Sequence, residues 1–286
     1  MIWDNIEVII INKKLIALDL DGTTLNNNSQ LSELTIKTLK TAVAAGHVVS
    51  IVTGRPNRIS EQFYDQLGLK SPMINFNGNL GILPHEQWPL EYEYNVDKDI
   101  VAELLSKNNE LGIKLIAIEG RDLFMANRGA TIDMGFFPTI LKAGQQLTHQ
   151  NLQDHHNPIS ITVAVEPEAM VTMTSYVETH FGDQVSISPP WGGGKYSIVE
   201  IAAKGIQKAT GVKILSDYYG ISQADIIAIG DEHNDTTMID YAGLGVAMKN
   251  AIPSIKNAAN MITKYTNEED GVAKFLNHQL DLQLAE

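Results

Sequence analysis

The sequence predicts an α/β fold, a doubly wound parallel sheet whose two halves are separated by an inserted α+β unit. Short, nearly continuous apolar runs rich in β-branched residues at 14–20 and 47–52 are typical of strands buried on both faces of a parallel sheet. The alternation of strands and helices stops near residue 83 and returns after about residue 205. Between these points the pattern indicates paired strands and amphipathic helices, as in a second unit.

The first half begins with two strand–helix units. Residues 31–45 carry apolar side chains at helical spacing and stop before Gly46, a plausible helix terminator. Pro56 fits the first turn of a helix that continues to about Leu67, and residues 73–76 predict the next strand. This order is that of a wound parallel sheet.

The second half repeats this order around an inserted unit. Its predicted elements are a helix at 205–219, a strand at 226–229, a helix near 236–241 and a strand at 244–247. The predicted elements of the inserted unit are strands at 114–118, 123–126, 159–165 and 185–188 and a helix at 168–181. We therefore predict a core of residues 1–83 and 196–286 and an inserted α+β cap of residues 84–195.

Composition and charge narrow the function classes. A net charge of -13 repels a polyanion over most of the surface, which argues against nucleic acid as a partner. The chain has no Cys, so any metal must be held by oxygen or imidazole ligands. No apolar run approaches the roughly 18 residues of a membrane span. Residues 1–14 lack a basic leader, so we expect no signal peptide and a cytoplasmic location.

Acidic residues follow two of the predicted strands. Asp19 and Asp21 stand at the end of the first strand, and Asp231, Asn234 and Asp235 follow the strand at 226–229. The carboxyl ends of parallel strands share one edge of the sheet, where ligands bind in open α/β folds. Carboxylates that converge there would repel each other unless a hard divalent cation such as Mg²⁺ lay between them. Either cluster alone has the ordinary explanation of a polar turn.

A phosphate site would also need donors and a fixed cation. Thr53 and Gly54 end another buried strand, where a hydroxyl and backbone N–H groups are able to hold phosphate oxygens. A Thr-Gly turn with a purely structural role is the alternative. Phosphoryl transfer further requires a positive charge opposite the metal, and Lys204 and Lys208 are the candidates.

Taken together, these residues resemble the haloacid dehalogenase superfamily, and within it the Cof-like phosphatases with a C2 cap of the IIB type. Residues 19–23 resemble the first motif of that family, residues 53–55 the second and residues 230–235 the fourth. Further family-like stretches are residues 77–78, 243–248, 250–251 and 270–273. The resemblance covers nearly the whole chain and implies a Rossmann-like core.

The resemblance implies roles for the acidic residues. Asp19 would be the nucleophile that forms an aspartyl-phosphate, and Asp21 would protonate the leaving group and then activate water. Mg²⁺ would be held by Asp19, by the backbone carbonyl of Asp21 and by Asp231, with support from Asp235. The groups implied to hold phosphate oxygens are Thr53, the Gly54 and Leu20 N–H groups, Asn234 and a lysine.

The third motif of the family is a lysine that is usually followed by glycine, which favours Lys204. Spacing from Glu200 and Gly205 instead places Lys208 at this position, with Ala209 where the family usually has glycine. We therefore predict Lys208 as the catalytic cation and keep Lys204 as the alternative.

The expected function is hydrolysis of phosphate monoesters of small metabolites, such as sugar phosphates or phosphorylated cofactors, by a monomer or homodimer without membrane or nucleic-acid partners. A phosphotransferase or mutase is one alternative, although such relatives usually carry a smaller helical cap earlier in the chain. The other is a non-enzymatic sensor of a phosphorylated metabolite, against which the complete catalytic set argues.

Several weaker signals are expected to be structural. The glycines at 192–194 lack the spacing of a phosphate loop and are predicted to form a flexible return from cap to core. His149, His155 and His156 are predicted to lie in a solvated stretch. The cap residues that are candidates to face the substrate are Arg121, Asp122, Arg128, Trp191 and Lys195.

Overall fold

The computed structural model describes residues 12–130, 137–191 and 195–285. Its strands, in chain order, are β1 (Leu15–Leu18), β2 (Val48–Ile51), β3 (Met73–Asn75), β4 (Leu80–Ile82), β5 (Tyr92–Glu93), β6 (Ile113–Glu119), β7 (Phe124–Ala126), β8 (Ser160–Val165), β9 (Val185–Ile187), β10 (Ser197–Ala203), β11 (Ile226–Gly230), β12 (Leu244–Ala247) and β13 (Met261–Ile262). Its α-helices are α1 (Glu33–Ala44), α2 (Asn57–Leu67), α3 (Lys98–Ser106), α4 (His149–Leu152), α5 (Met170–Phe181), α6 (Lys208–Tyr219), α7 (Thr236–Tyr241), α8 (Pro253–Ala258) and α9 (Gly271–Gln279).

The central sheet consists of five parallel strands in the order β13-β12-β11-β1-β2. Strand β1 lies between β11 and β2, and all four of its side chains are buried, as its continuous apolar run predicts. Helices α1, α2 and α9 contribute to the apolar core on one face, and α6 and α7 contribute to the core on the other. The predicted doubly wound α/β core is therefore confirmed.

A small antiparallel sheet extends this core. Strands β3, β4 and β5 pair in that order, and Ile74 of β3 forms a parallel bridge to Val52 just after β2. Trp88, between β4 and β5, is only 4% exposed and packs with core residues of α6. The segment up to β5 thus remains attached to the core.

The cap is built on a five-stranded antiparallel sheet with the order β7-β6-β8-β10-β9. One face of this sheet packs against α3, α4 and α5, where Met173 and Val177 are fully buried. This confirms an α+β cap. The opposite face points towards the core and is central to the site described below.

The predicted domain boundaries fall inside two of these sheets. Strand β5 follows residue 83 but pairs with β4 of the core, and β10 follows residue 195 but pairs with β8 and β9 of the cap. The pattern of residues along the chain does not show which strands pair, because strand partners are distant in sequence. We propose that the cap extends from about residue 94 to about residue 204.

Two predictions concern segments beyond the described residues. They are the N-terminal stretch up to residue 11 and the Gly-rich return at 192–194. Across the described ranges, no helix combines the length and the apolar character needed to cross a bilayer.

Candidate active site

The carboxyl ends of neighbouring strands meet at one cavity between the core and the cap. Asp19 directly follows β1, Thr53 lies just beyond β2, and Asp231 directly follows β11. All three line a cavity of about 800 Å³ that is also lined by residues of the cap sheet. The parallel register brings these residues together because their strands end at the same edge.

The turn after β1 is shaped to approach the β11 loop closely. Gly22 adopts φ 69°, and a Cβ atom at this position would collide with the Asp231 carboxylate. Thr23 Oγ1 donates to Asp231 Oδ1 at 2.9 Å, and Thr24 Oγ1 donates to the backbone oxygen of Asp19 at 2.5 Å. Gly22 and the Thr23 hydroxyl therefore hold the two acidic strand ends in contact, while the Thr24 hydroxyl closes the turn after β1.

Lys208 lies at the centre of the site. It is the first residue of α6 and is completely buried, and its Nζ lies 2.6 Å from Asp19 Oδ1 and 2.5 Å from Asp235 Oδ1. Burial lowers the pKa of Lys208, but Asp19 and Asp235 outweigh this effect and raise it, so the ammonium stays charged. Lys204, the alternative, is exposed at the end of β10.

Three carboxylates have oxygens within 4.8 Å of one another, those of Asp19, Asp231 and Asp235. We call them the acidic group. Burial raises the pKa of Asp19, although Lys208 lowers it, and Asp235 and Asp231 raise it further. Burial, with Asp235, raises the pKa of Asp231 to about 7. A divalent cation with oxygen ligands would relieve this repulsion, so the donor set fits such an ion.

Asp235 differs from the other two carboxylates because both of its oxygens have partners within the protein. Its Oδ1 binds Lys208, and its Oδ2 accepts hydrogen bonds from the backbone N–H groups of Asp231 (2.8 Å) and Glu232 (3.0 Å). The side chain is fully buried. This arrangement fixes the β11 loop and suits a supporting position behind a metal.

The predicted phosphate-binding residues are distributed around the same cavity. Thr53, Gly54 and Asn234 line it, and the Asn234 amide donates to Asn77 Oδ1 at 2.9 Å. The Leu20 side chain is instead fully buried in the apolar core, so its predicted role concerns only its backbone N–H.

Asp21 lies outside the acidic group and forms an ion pair with Arg55 that was not predicted from the sequence. Arg55 Nε lies 2.7 Å from Asp21 Oδ2, and an Arg55 Nη lies 2.5 Å from Asp21 Oδ1, which makes the pairing bidentate. The Asp21 side chain is 52% exposed, against 7% for Asp19. The sequence showed only that Arg55 directly follows Thr53 and Gly54, which did not identify Asp21 as its partner.

The cap contributes a second set of residues that sequence reasoning missed. Glu119, Ser160, Thr162 and Glu200 line the cavity from the cap sheet, and Trp191 is the predicted cap candidate found with them. These residues could have been found from the sequence, because they are polar side chains in otherwise apolar strands, where alternate residues face the same side of the sheet. Arg121 and Asp122 instead line a different cavity, together with His155 and His156.

A family model for haloacid dehalogenase-like hydrolases matches residues 16–276. The chain belongs to this family. The match covers both halves of the core and the cap between them, so the predicted superfamily and its Cof-like phosphatase group are confirmed.

Individual relatives support the assignment of this chain to the haloacid dehalogenase-like hydrolases. The chain is 35% identical over 274 residues to the 5-amino-6-(5-phospho-D-ribitylamino)uracil phosphatase YitU of Bacillus subtilis (strain 168), covering 94% of this chain and 98% of YitU. It is 29% identical over 266 residues to the phosphatase YcsE of the same strain, covering 93% and 95%. A haloacid dehalogenase-like hydrolase from Bacteroides thetaiotaomicron has the same fold, with a TM-score of 0.78, 24% identity and coverage of 93% and 99%.

Proposed function

We propose that this hydrolase is a Mg²⁺-dependent phosphatase that cleaves phosphate monoesters of small metabolites through an aspartyl-phosphate intermediate. The observation that carries the proposal is the contact of Asp19 with Lys208 inside the acidic group, at the edge where β1, β2 and β11 end. A carboxylate beside a buried ammonium is held in one orientation, close to the groups that would donate hydrogen bonds to the phosphate. This geometry suits attack on phosphorus.

Mg²⁺ is proposed to bind Asp19, Asp231 and the backbone carbonyl of Asp21, with Asp235 as support. The acidic group offers only oxygen donors, the type that Mg²⁺ prefers. When bound, the cation would neutralise negative charge on the phosphate and on the carboxylates. Because both Asp235 oxygens are already occupied by protein donors, its contribution is to orient Asp231.

The proposed reaction uses two displacements at phosphorus. An Asp19 oxygen forms a bond to phosphorus while the bond to the leaving oxygen breaks, and Asp21 gives its proton to that oxygen. Asp21 then takes a proton from water, which attacks phosphorus and releases Asp19 and inorganic phosphate. Arg55 orients the Asp21 carboxylate through both of its oxygens, and one of these two contacts must open whenever Asp21 carries the proton.

The donors proposed to hold the phosphate oxygens are Thr53, the Gly54 and Leu20 N–H groups, Asn234 and Lys208. Asn77 fixes the Asn234 amide, since it accepts one of its hydrogen bonds. Together with Lys208, these groups would stabilise charge that develops on the equatorial oxygens.

The proposed substrate is a small phosphorylated metabolite, in keeping with the cavity of about 800 Å³. YitU and YcsE are both named as phosphatases of 5-amino-6-(5-phospho-D-ribitylamino)uracil, so this compound belongs first in a test panel. Sugar phosphates and phosphorylated cofactors complete the panel. A cytoplasmic location and a monomeric or dimeric state remain predictions.

Phosphate release from this panel, with Mg²⁺ and with EDTA, tests the proposal. We expect release by the wild type that requires the metal and is lost in Asp19→Asn. Asp240→Asn, on an exposed position of α7, is the matched control and should retain activity. Equal release by the wild type and Asp19→Asn would contradict the nucleophile, and release unaffected by EDTA would contradict the metal.

A further inference from the structure

The cap sheet presents a polar patch to the cavity, here called the cap patch. Side chains alternate between the two faces of a strand, so Ile116 and Ile118 of β6 pack into the cap interior while Glu119 faces the cavity. On β8 and β10, Ser160, Thr162 and Glu200 also line the cavity. These four residues form the cap patch.

Strand register makes the cap patch continuous. Glu119 of β6 lies opposite Ser160 of β8, and Glu200 of β10 lies opposite Thr162. Directly paired side chains on one face of an antiparallel sheet are neighbours. Two hydroxyls are therefore flanked by two carboxylates across three adjacent strands.

The hydroxyls of the cap patch have no partners in the described part of the protein. Ser160 and Thr162 are each 4% exposed, and neither side-chain oxygen forms a hydrogen bond to a described residue. Both hydroxyl oxygens reach the cavity, so a ligand that displaces water from them must offer hydrogen bonds of its own. Because both line the cavity, a ligand is able to satisfy them.

The two carboxylates are in different states. Glu119 is paired with the core, since Arg58 Nε of α2 lies 2.7 Å from Glu119 Oε2. Among the described residues, the Glu200 carboxylate forms neither a hydrogen bond nor an ion pair. Burial, with a contribution from Glu119, raises the pKa of Glu200 to about 7. Glu200 is thus an acceptor without a donor, next to two unpaired hydroxyls.

We propose that Ser160, Thr162 and Glu200 determine substrate specificity by binding hydroxyl groups on the part of the substrate that leaves with the ester oxygen. This inference rests on the proposed function, because the core end of the same cavity would hold the phosphate. A substrate hydroxyl donates to Glu200 and can also accept from Ser160 or Thr162. An apolar leaving group would keep all three protein groups unpaired, and an ammonium group could not accept.

Three phosphate esters with chains of equal length test this assignment: sorbitol 6-phosphate, n-hexyl phosphate and 6-aminohexyl phosphate. Values of kcat/KM are compared for the wild type, Thr162→Val and Glu200→Gln. Glu168→Gln, an exposed position of the same cap, is the control. Binding of the three esters to Asp19→Asn, with and without each cap substitution, is measured by calorimetry and does not depend on turnover.

We expect the wild type to prefer sorbitol 6-phosphate over n-hexyl phosphate by roughly tenfold or more in kcat/KM, and Asp19→Asn to show the same preference in affinity. Thr162→Val and Glu200→Gln should each lower this preference several-fold, while kcat/KM for n-hexyl phosphate and the Glu168→Gln control stay unchanged. Thr162→Val carries the test if Glu200→Gln alters folding.

The outcomes separate this inference from the proposed function. Absence of turnover of these esters and of the whole panel above by the wild type would overturn the proposed function, while the affinities of Asp19→Asn would still decide the role of the cap patch. Equal affinity for the hydroxylated and the plain chain, or a preference that both substitutions leave intact, would overturn the inference. A preference for 6-aminohexyl phosphate over sorbitol 6-phosphate would also overturn it, in favour of a cation site.

Discussion

Replacing Lys208 with methionine tests the arrangement on which the proposed site depends. Methionine is close in length and flexible, so Lys208→Met removes the ammonium with little change in packing. The substitution leaves Asp19 and Asp235 buried without the cation that now lies 2.6 and 2.5 Å from them. Both stability and activity should fall.

The expected magnitude follows from the burial of all three groups. Breaking a buried ion pair by removing one partner typically costs about 3–5 kcal/mol, because an uncompensated charge remains inside. Lys208 is completely buried and binds two carboxylates, which places it within this range. Without the ammonium, the pKa of Asp19, already raised by burial, would rise further. The deficit in stability should therefore shrink as the pH falls and Asp19 takes up a proton.

The assay is urea denaturation in EDTA at two pH values, followed by phosphate release with Mg²⁺. Lys204→Met is the matched control, since it removes an exposed lysine that lies four positions before Lys208. Its effect on the free energy of unfolding should stay within about 0.5 kcal/mol. Loss of a group that stabilises transition-state charge should lower kcat about 10²–10³-fold.

A small difference between the two variants would refute this reasoning. If Lys208→Met lost no more stability than Lys204→Met in EDTA, the two contacts of Lys208 would contribute little to the fold. If Lys204→Met caused the larger loss of kcat, the assignment of the catalytic cation would be wrong.

Three further predictions follow from other parts of the site. The pKa of Glu200 in the folded protein, about 7, lies above its ordinary value of 4.5, so the wild type should lose free energy of unfolding as the pH rises between these values. Glu200→Gln lacks this titration. In urea titrations its free energy of unfolding, relative to that of the wild type, should therefore rise by on the order of 1–2 kcal/mol from pH 5 to pH 8. Gly22→Ala should weaken Mg²⁺ binding measured by calorimetry, because its Cβ would displace the Asp231 carboxylate. Gly46→Ala, with a positive φ but open space around it, should cost stability without changing metal affinity. Arg55→Lys keeps the charge but loses the bidentate contact with Asp21, so kcat should fall about tenfold; an unchanged pH profile of kcat would contradict a positioning role.

The parts of the fold that depend on local pattern were predictable from the sequence. Strand β1 sits where its continuous apolar run places it, and Asp19 follows at the edge of the sheet. The choice of Lys208 over Lys204 rested on the family resemblance, whose spacing from Glu200 and Gly205 leads to Lys208. In each case the required information lies within about ten residues of the chain.

Contacts between distant segments were not predictable in the same way. Arg55 and Asp21 lie on different strand ends, and nothing in either segment specifies that their side chains pair. The cap patch depends on the register of β6, β8 and β10, which no single strand encodes. The pairing of β10 with β8 and β9 was missed for the same reason, and it is the basis for proposing a later end of the cap.

The connection between β10 and α6 limits how freely this protein can be recombined. Strand β10 ends at Ala203 in the cap, and Lys208 opens α6 in the core, so only residues 204–207 separate them. An α-helix turns by about 100° per residue, so a deletion of one residue here would rotate the start of α6 and carry Lys208 away from Asp19. A chimera that exchanges the cap to change selectivity must therefore keep the length of this linker, even though none of its residues lines the cavity.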